Sequence, residues 1–366
     1  MRKLASIEIL DKLEPIPNAD RILKATVKGW ECVVAKADNF KVGDKVIYIE
    51  VDSVLPERPE FDFLKDKKYR VRTIKLRKQI SQGLVLPISY LKKHNSYSVG
   101  DDVTKELGIK KYDPQVEAEK EILRKPVKVK GMFAPVINFL MRFRWFREFY
   151  GKHTVHNCSF PTDIVSKTDE ERIQNLPILF EKMKSQAIPL TATEKIDGCS
   201  ATFFNFDGKF GVCSRNIWLR KEDNSYYWEV ARRFQLEEIL DALKKEFGAK
   251  KVVIQGEIIG QGIQENKYKI SGYDFYVYNL IIDGLKLEQD NMTAICKLHN
   301  LKTVPVIYKD YVIPNSADFE IKDLVRLASG KSKLLKEQER EGLVFRNYAE
   351  GISFKAISPE FLLKEE

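Results

Sequence analysis

The sequence predicts an α+β protein: a small N-terminal β-barrel followed by a larger domain that mixes strands and helices. Three observations predict it. The chain has 366 residues, enough for two domains and a sizeable core. Residues 1 to about 110 carry short strand-like runs separated by turns, with no long helical period. From Asp163 onward, strand-like runs alternate with segments of helical rhythm.

In the N-terminal part, Leu4–Leu10, Ile22–Val27, Glu31–Ala35 and Lys45–Glu50 read as strands, rich in β-branched residues. Pro15–Asp20, Lys28-Gly29-Trp30 and Val42-Gly43-Asp44 supply the turns between them. Tyr69 to Lys78 reads as a further strand with alternating cations, so Arg70, Arg72 and Arg77 are candidate phosphate contacts; a charged edge strand that discourages aggregation is an equal reading. Residues 111–130 are charge-dense and poor in large apolar groups, as in an exposed linker. Met132 to Lys152 combines aromatics with arginines and reads as a basic amphipathic helix packed on its own domain. His153, His156 and Cys158 lie close together, but a zinc site normally needs a second ligand pair at a distance, and no metal is expected there. The domain limits read from this pattern are 1–110, 111–152 and 153–366.

In the larger domain, Leu179–Gln186 has helical rhythm and Thr191–Ile196 a strand. Ala201–Phe206 and Lys209–Arg215 form a hairpin across Asp207-Gly208. Tyr226–Phe247 reads as one amphipathic helix. Lys251–Ile259, Asp274–Ile282, Gly342–Arg346 and Ile352–Ile357 read as strands, the last two joined by a short polar loop.

Composition narrows the function classes without choosing among them. The net charge of +9 permits a polyanionic partner but does not require one. Five cysteines with no CxxC pair fit reduced thiols inside a cell. No apolar run approaches membrane-spanning length, and acidic residues interrupt the N-terminus where a signal peptide would need an apolar core. The expectation is a soluble monomer that is not secreted, cytoplasmic or, in a eukaryote, nuclear.

Lys195-Ile196-Asp197-Gly198 then organises the rest. It places one amine where a strand gives way to a turn, a common position for chemistry on a rigid scaffold. Alone the tetrad is weak, since chance supplies it in about one chain in ten of this length. Downstream, charged residues recur on strands that otherwise look buried: Arg215, Glu257, Glu341 and Lys355. Burying such charges is costly unless they are paired or face a polar cleft. With Arg346 placed opposite Ile352 in the last hairpin, Leu343 faces Lys355 and Glu341 lies diagonal to it on the same face.

This set resembles the covalent nucleotidyltransferases, the nucleic-acid ligases and messenger-RNA capping enzymes. Their ordered motifs stand here as Lys195-Ile196-Asp197-Gly198, Ser214-Arg215-Asn216, Gln255-Gly256-Glu257, Phe275–Leu280, Glu341–Val344 and Ser353-Phe354-Lys355. Within them the chain is similar to RNA ligases: Glu170–Asn175 precedes the lysine, and only a short tail follows Lys355. The N-terminal part resembles an OB module, an arrangement similar to the fifth family of RNA ligases. Two departures stand out. Ser353 replaces the first lysine of the last motif, and Tyr278-Asn279 replace the usual phenylalanine-aspartate.

The resemblance implies an adenylyltransferase domain of antiparallel sheets flanked by helices. It implies an ATP-dependent RNA ligase of RNA repair that joins 3′-hydroxyl and 5′-phosphate ends at nicks in duplex RNA or an RNA/DNA hybrid. The steps would pass through lysyl-AMP and then 5′-adenylylated RNA. Lys195 would be the nucleophile, with Lys355 and Glu341 also catalytic. Glu194, Arg215, Glu257, Tyr278, Tyr276, Arg172 and Gln174 would bind the nucleotide. Asp197, Glu257 and Glu341 would hold Mg²⁺ or Mn²⁺ through water. An exposed lysine with a pKa near 10.4 is neutral in only about one molecule in a thousand near pH 7, so Lys195 would need desolvation or nearby positive charge to attack. A DNA ligase, a GTP-using capping enzyme and an inactive RNA-binding relative remain alternatives.

Overall fold

A computed structural model describes residues 3–91, 96–112, 140, 158–219 and 225–364. Apart from Leu140, the expected basic helix Met132–Lys152 lies outside them, as do His153 and His156. The chain divides into two units. The first comprises Met1–Asp113, Glu170–Ile196 and Pro305–Glu366; the second comprises Pro114–Asp169 and Asp197–Val304.

Among the described residues the first unit holds two larger sheets and two short strand pairs. In its N-terminal part, β1 (Ala5–Pro15), β2 (Ile22–Val27), β3 (Trp30–Ala35), β4 (Lys45–Ile49) and β8 (Leu84–Pro87) make an antiparallel sheet in the order β3-β2-β1-β4-β8, an OB-like half-barrel. A register shift between Leu10 and Lys12 lets one long strand pair with β4 along its first half and β2 along its second. Two short pairs complete this part: β5 (Ser53–Val54) with β9 (Lys110–Lys111), and β6 (Thr73–Leu76) with β7 (Gln79–Gln82).

The expected cationic strand Tyr69–Lys78 is a correction. Tyr69 has φ 57°, which ends extended backbone, and the strand is only Thr73–Leu76. Arg77 and Lys78, both with positive φ, form the two-residue turn between β6 and β7. Arg70 turns toward Asp52 at 2.6 Å and lies 3.7 Å over the Tyr112 ring, whereas Arg72 and Arg77 are exposed.

The second sheet of this unit runs β19-β11-β20-β21, with β11 Leu190–Lys195, β19 Val306–Tyr311, β20 Gly342–Asn347 and β21 Ile352–Ile357. Its apolar back carries Leu190, Ala192, Leu343, Phe345, Phe354 and Ala356, packed against helices Pro177–Ser185 and Ile321–Leu327. The expected pairing in the last hairpin is off by one. Asn347, not Arg346, lies opposite Ile352, so Val344 rather than Leu343 faces Lys355. Asn347 stays in the ladder because its side chain caps the turn: its oxygen accepts from Glu350 N–H at 3.0 Å and its amide donates to the Pro189 carbonyl at 2.9 Å.

The second unit is built on one eight-stranded sheet. Its path is β10 (Cys158–Ser159), β14 (Ile217–Leu219), β13 (Lys209–Cys213), β12 (Cys199–Phe206), β15 (Lys251–Gly260), β16 (Tyr273–Ile282) and β17 (Leu285–Lys286). β18 (Lys302–Thr303) pairs with β16 in parallel. The expected helix Tyr226–Phe247 is two helices, Tyr226–Arg233 and Leu236–Glu246, broken at Gln235 with φ 53°. In a continuous helix the stripe of Tyr227, Trp228, Val230 and Ala231 would lie about 150° from that of Leu236, Ile239, Leu240 and Leu243. The break brings both stripes onto one core.

Cys32, Cys199, Cys213 and Cys296 are free and buried. Burial pushes the thiols of Cys32, Cys199 and Cys296 up to about 12 and raises that of Cys213 as well, so these are packing residues rather than nucleophiles. Among the described residues no helix is long and apolar enough to cross a membrane.

Within the first unit, Lys12 of β1 meets Glu320 at 2.7 Å, and Lys322 meets the same carboxylate at 2.7 Å. The two ammonium groups hold the Glu320 carboxyl down to about 2. Its folded value lies below the ordinary 4.5, so its contribution is complete above that pH and is lost as pH falls toward 2. Glu320→Gln should lower Tm slightly at pH 6, and the gap from the parent should close progressively below pH 4.5, read by scanning fluorimetry. A gap that stays constant down to pH 3 would count against the pairing.

Candidate active site

Lys195 is the last residue of β11, and Gly342 pairs with it from β20. Alternation along the strands then fixes the face. Thr191, Thr193 and Lys195 share one side with Gly342, Val344 and Arg346, and with Ser353, Lys355 and Ile357 of β21. This side carries the polar groups, opposite the apolar back. The Lys195 ammonium meets the Glu341 carboxylate at 2.5 Å, with side chains 27% and 16% exposed. Lys355 lies two strands from β11, about 10 Å across the sheet and on the Lys195 side. The expected grouping of Lys195, Glu341 and Lys355 is therefore present within one unit.

The Glu170–Asn175 segment runs alongside. The Lys355 N–H donates to the Glu171 carbonyl at 2.8 Å, and Arg172 forms a parallel bridge with Lys355. Arg172 is buried, reaches Asp52 at 3.6 Å, and lies 5.5 Å over the Trp30 ring. Glu170 accepts from the Ser353 hydroxyl at 2.7 Å and lies 3.6 Å from the Arg346 guanidinium. Arg346 also donates to the Thr193 hydroxyl at 2.9 Å. Sequence reading missed Arg346; its alternation with Gly342 and Val344, on the strand that starts right after Glu341, was the available signal.

Of two further expected nucleotide ligands, one faces away from the amine and the other is buried in the segment beside Lys355. Glu194 precedes Lys195 and faces the opposite way, where its carboxylate accepts from the Ser332 hydroxyl at 2.5 Å and the Lys333 N–H at 2.8 Å. Burial pushes its carboxyl up, against the pull of Ser332, Lys333 and the nearby Arg340. Gln174 is buried, and its side-chain oxygen has no hydrogen-bond partner among the described residues.

The Asp197–Val304 part of the second unit starts two residues after Lys195. Its candidates gather on β12, β15 and β16. Ser200, Glu257 and Tyr276 form one cross-strand row. Glu257 accepts from the Gly198 N–H at 3.2 Å, and Asp197 pairs with Lys267 at 2.6 Å while its N–H donates to the Tyr268 hydroxyl at 3.0 Å. The β15–β16 register slips between Gln255 and Gly256, leaving Tyr278 as the extra residue. That bulge re-aims Tyr278, whose hydroxyl meets the Ser200 hydroxyl at 2.6 Å. Tyr276 lies under the Lys302 ammonium at 5.5 Å. Arg215 stands two residues beyond β13 and pairs with Asp169 at 2.5 Å. Among the described residues no group of three His, Cys, Asp or Glu side chains is close enough to hold a metal directly.

Residues 188–357 match the family described as RNA ligase, and residues 4–88 match an OB-fold domain. The RNA ligase of Naegleria gruberi, solved as a mutant with ATP and Mn, is 32% identical with a TM-score of 0.78, covering 100% of this chain and 99% of that one. This chain belongs to the RNA ligase family. The same Naegleria enzyme solved with PPi gives the same identity and TM-score, over 99% of this chain and 98% of that one. A mutant of it solved with AMP and Mn also matches at 32% identity and TM-score 0.78, over 100% and 99%. Among curated proteins, none matches the chain.

In this RNA ligase, Gly198 is fixed by close approach rather than by the turn its Asp-Gly dipeptide suggested. A Cβ there would lie 2.4 Å from the Ile258 carbonyl oxygen and 2.8 Å from the Ile259 side chain. Gly198→Ala must push β12 from β15 where Glu257 is held. The expected cost is about 1–3 kcal/mol in urea unfolding, as for overpacked sites. An unchanged unfolding midpoint would refute the close contact.

Proposed function

We propose that this RNA ligase uses ATP to join 3′-hydroxyl and 5′-phosphate RNA ends, at nicks in duplex RNA or an RNA/DNA hybrid. The observation that carries the reading is the half-buried Lys195–Glu341 pair at 2.5 Å, on the sheet face shared with Lys355. ATP as substrate is supported by the Naegleria relative, whose solved forms contain ATP or AMP with Mn.

The Lys195 amine attacks the α-phosphorus, the bond to pyrophosphate breaks, and a phosphoramide to AMP forms. Lys355, on the same face, neutralises charge building on the α-phosphate. Arg172 and Arg346, both buried beside Lys355 and Ser353, are cations suited to the remaining phosphates. The second cation on this sheet is thus an arginine on β20, which answers for the lysine that Ser353 replaces. Glu257 and Arg215 contact ribose, and Tyr276 and Tyr278 offer aromatic surface for adenine. The AMP then passes to an RNA 5′-phosphate, and the 3′-hydroxyl attacks that phosphate and expels AMP.

Asp197, Glu257 and Glu341 are all carboxylates, the hard oxygen donors that suit a hydrated Mg²⁺ or Mn²⁺. When bound, such an ion would supply positive charge beside the amine and the α-phosphate. In this structure two of the three already hold a cation, Lys267 on Asp197 and Lys195 on Glu341. By this reading residues 1–110 serve RNA through exposed cations such as Arg72 and Arg77, with Arg70 bracing Tyr112 and Asp52, and residues 153–366 carry the adenylyl transfer.

Incubation with ATP labelled at the α-phosphate should label the protein, and Lys195→Ala should abolish the label. Label on the mutant removes Lys195 as nucleophile, and label from GTP instead of ATP indicates a capping-type enzyme. A panel of nicked RNA, DNA and hybrid duplexes should be sealed fastest where the strand supplying the 3′-hydroxyl is RNA. Sealing of DNA nicks alone would replace the RNA-joining assignment.

A further inference from the structure

Consecutive strand residues face opposite ways, so beneath Lys195 lies its neighbour on β11, whereas Arg340 and Glu341 precede β20 and are placed by their own contacts. Beneath Lys195 is Glu194, only 1% exposed. Before Glu341 is Arg340, 6% exposed. Two buried charges next to the two reacting side chains would be costly without partners. Both find them on one segment, Leu327–Lys333.

Arg340 donates to three carbonyls at the end of helix Ile321–Leu327: Nη2 to Leu327 at 2.8 Å, Nε to Ala328 at 2.8 Å and Nη2 to Ser329 at 2.7 Å. These oxygens have no helical partner of their own, and a cation at a helix C-terminus is favoured. Glu194 takes the next part of the segment, accepting from the Ser332 hydroxyl and the Lys333 N–H. The segment closes on itself, with Arg340 N–H donating to Gly330 at 2.9 Å and Ser332 N–H to Gln338 at 2.8 Å. On the far side of Glu341, its carbonyl accepts from Ser358 N–H at 2.8 Å.

We infer that Glu194 and Arg340 are positioning residues of adenylylation, and that the Leu327–Lys333 segment clamps them so that Lys195 and Glu341 meet. Neither touches the nucleotide. Each fixes the backbone of the residue that does, at the ends of strands whose side chains must converge to within hydrogen-bond distance. A displacement of an ångström at a reacting group costs up to about a hundredfold in rate. The inference rests on Lys195 being the nucleophile.

The test separates positioning from stability by using a substrate that bypasses the amine. RNA already carrying 5′-AMP enters after the lysine step, so its sealing needs the folded enzyme but not Lys195. Glu194→Ala and Arg340→Met should slow lysyl-AMP formation at saturating ATP about tenfold or more, with KM for ATP changed less than about threefold. Sealing of pre-adenylylated RNA should stay within about threefold of the parent. Glu194→Gln, which keeps an acceptor for Ser332 or Lys333, should recover most of the rate, and Ser332→Ala should fall between. Equal losses in both reactions, in these and the milder variants, would reduce the clamp to a stability element and overturn the inference. Unchanged lysyl-AMP formation would overturn it too. Label on Lys195→Ala fails the nucleophile reading instead; with Lys195→Ala unlabelled, the Glu194 and Arg340 variants decide the clamp alone.

Discussion

The contact between Lys195 and Glu341 is a demanding one for the chain to make. The two residues are 146 positions apart, and they meet only because β11 and β20 lie side by side in one register. The pair itself contributes little to holding them there. A partly solvated ion pair is worth about a kilocalorie per mole at most, and ordering two long side chains offsets part of that. The work is done behind the sheet, where Phe345 stacks on Phe354 at 5.1 Å and Leu190, Ala192, Leu343 and Ala356 close the core. Apolar burial fixes the register, and the register delivers the charges to the other face. A slip of one residue would send Lys195 into the apolar side and expose the core residues, so register and chemistry are one constraint.

That dependence explains what could be read from the sequence. Strands are legible where a β-branched run ends in a turn: Ile22–Val27 and Ile352–Ile357 have the bounds expected, and β15 and β16 each differ by one residue. The lone charges on apolar strands marked the site because burial makes an unexplained charge expensive. What was hidden has a common cause, backbone that leaves its local preference to satisfy something distant. Gln235 takes φ 53° so that two stripes share a core, and Tyr69 takes φ 57° while Arg70 turns to Asp52. Asn347 extends a hairpin by one rung because its side chain reaches Pro189 from across the sheet. None of these partners lies nearby in sequence. Glu194 differs: strand alternation already placed it opposite Lys195, so motif adjacency suggested a shared role that geometry divides.

The two lysines of the face are held from different sides. Lys195 belongs to β11, whose underside is tied to the Leu327–Lys333 segment. Lys355 belongs to the outer strand β21, whose backbone is met by Glu171 and Arg172. That same stretch is where the N-terminal half-barrel attaches. The Trp30 indole N–H donates to the Asn175 side-chain oxygen at 3.1 Å, and the Asn175 amide donates to Glu50 at 2.5 Å and to Glu171 at 3.0 Å. Arg172 adds its contact with Asp52, which Arg70 also holds. An edge strand has open backbone groups on one side, and here a segment braced by the barrel occupies them. The half-barrel is therefore tied to the ligase sheet: three of its residues, Trp30, Glu50 and Asp52, reach the segment that lies along the strand carrying Lys355. A chain lacking the barrel would keep every motif from Lys195 to Lys355 but lose the partners that Trp30, Glu50 and Asp52 give to Asn175 and Arg172, and the segment along β21 would be held less firmly. Hydrogen-bond satisfaction at the sheet edge thus ties the two modules to one another.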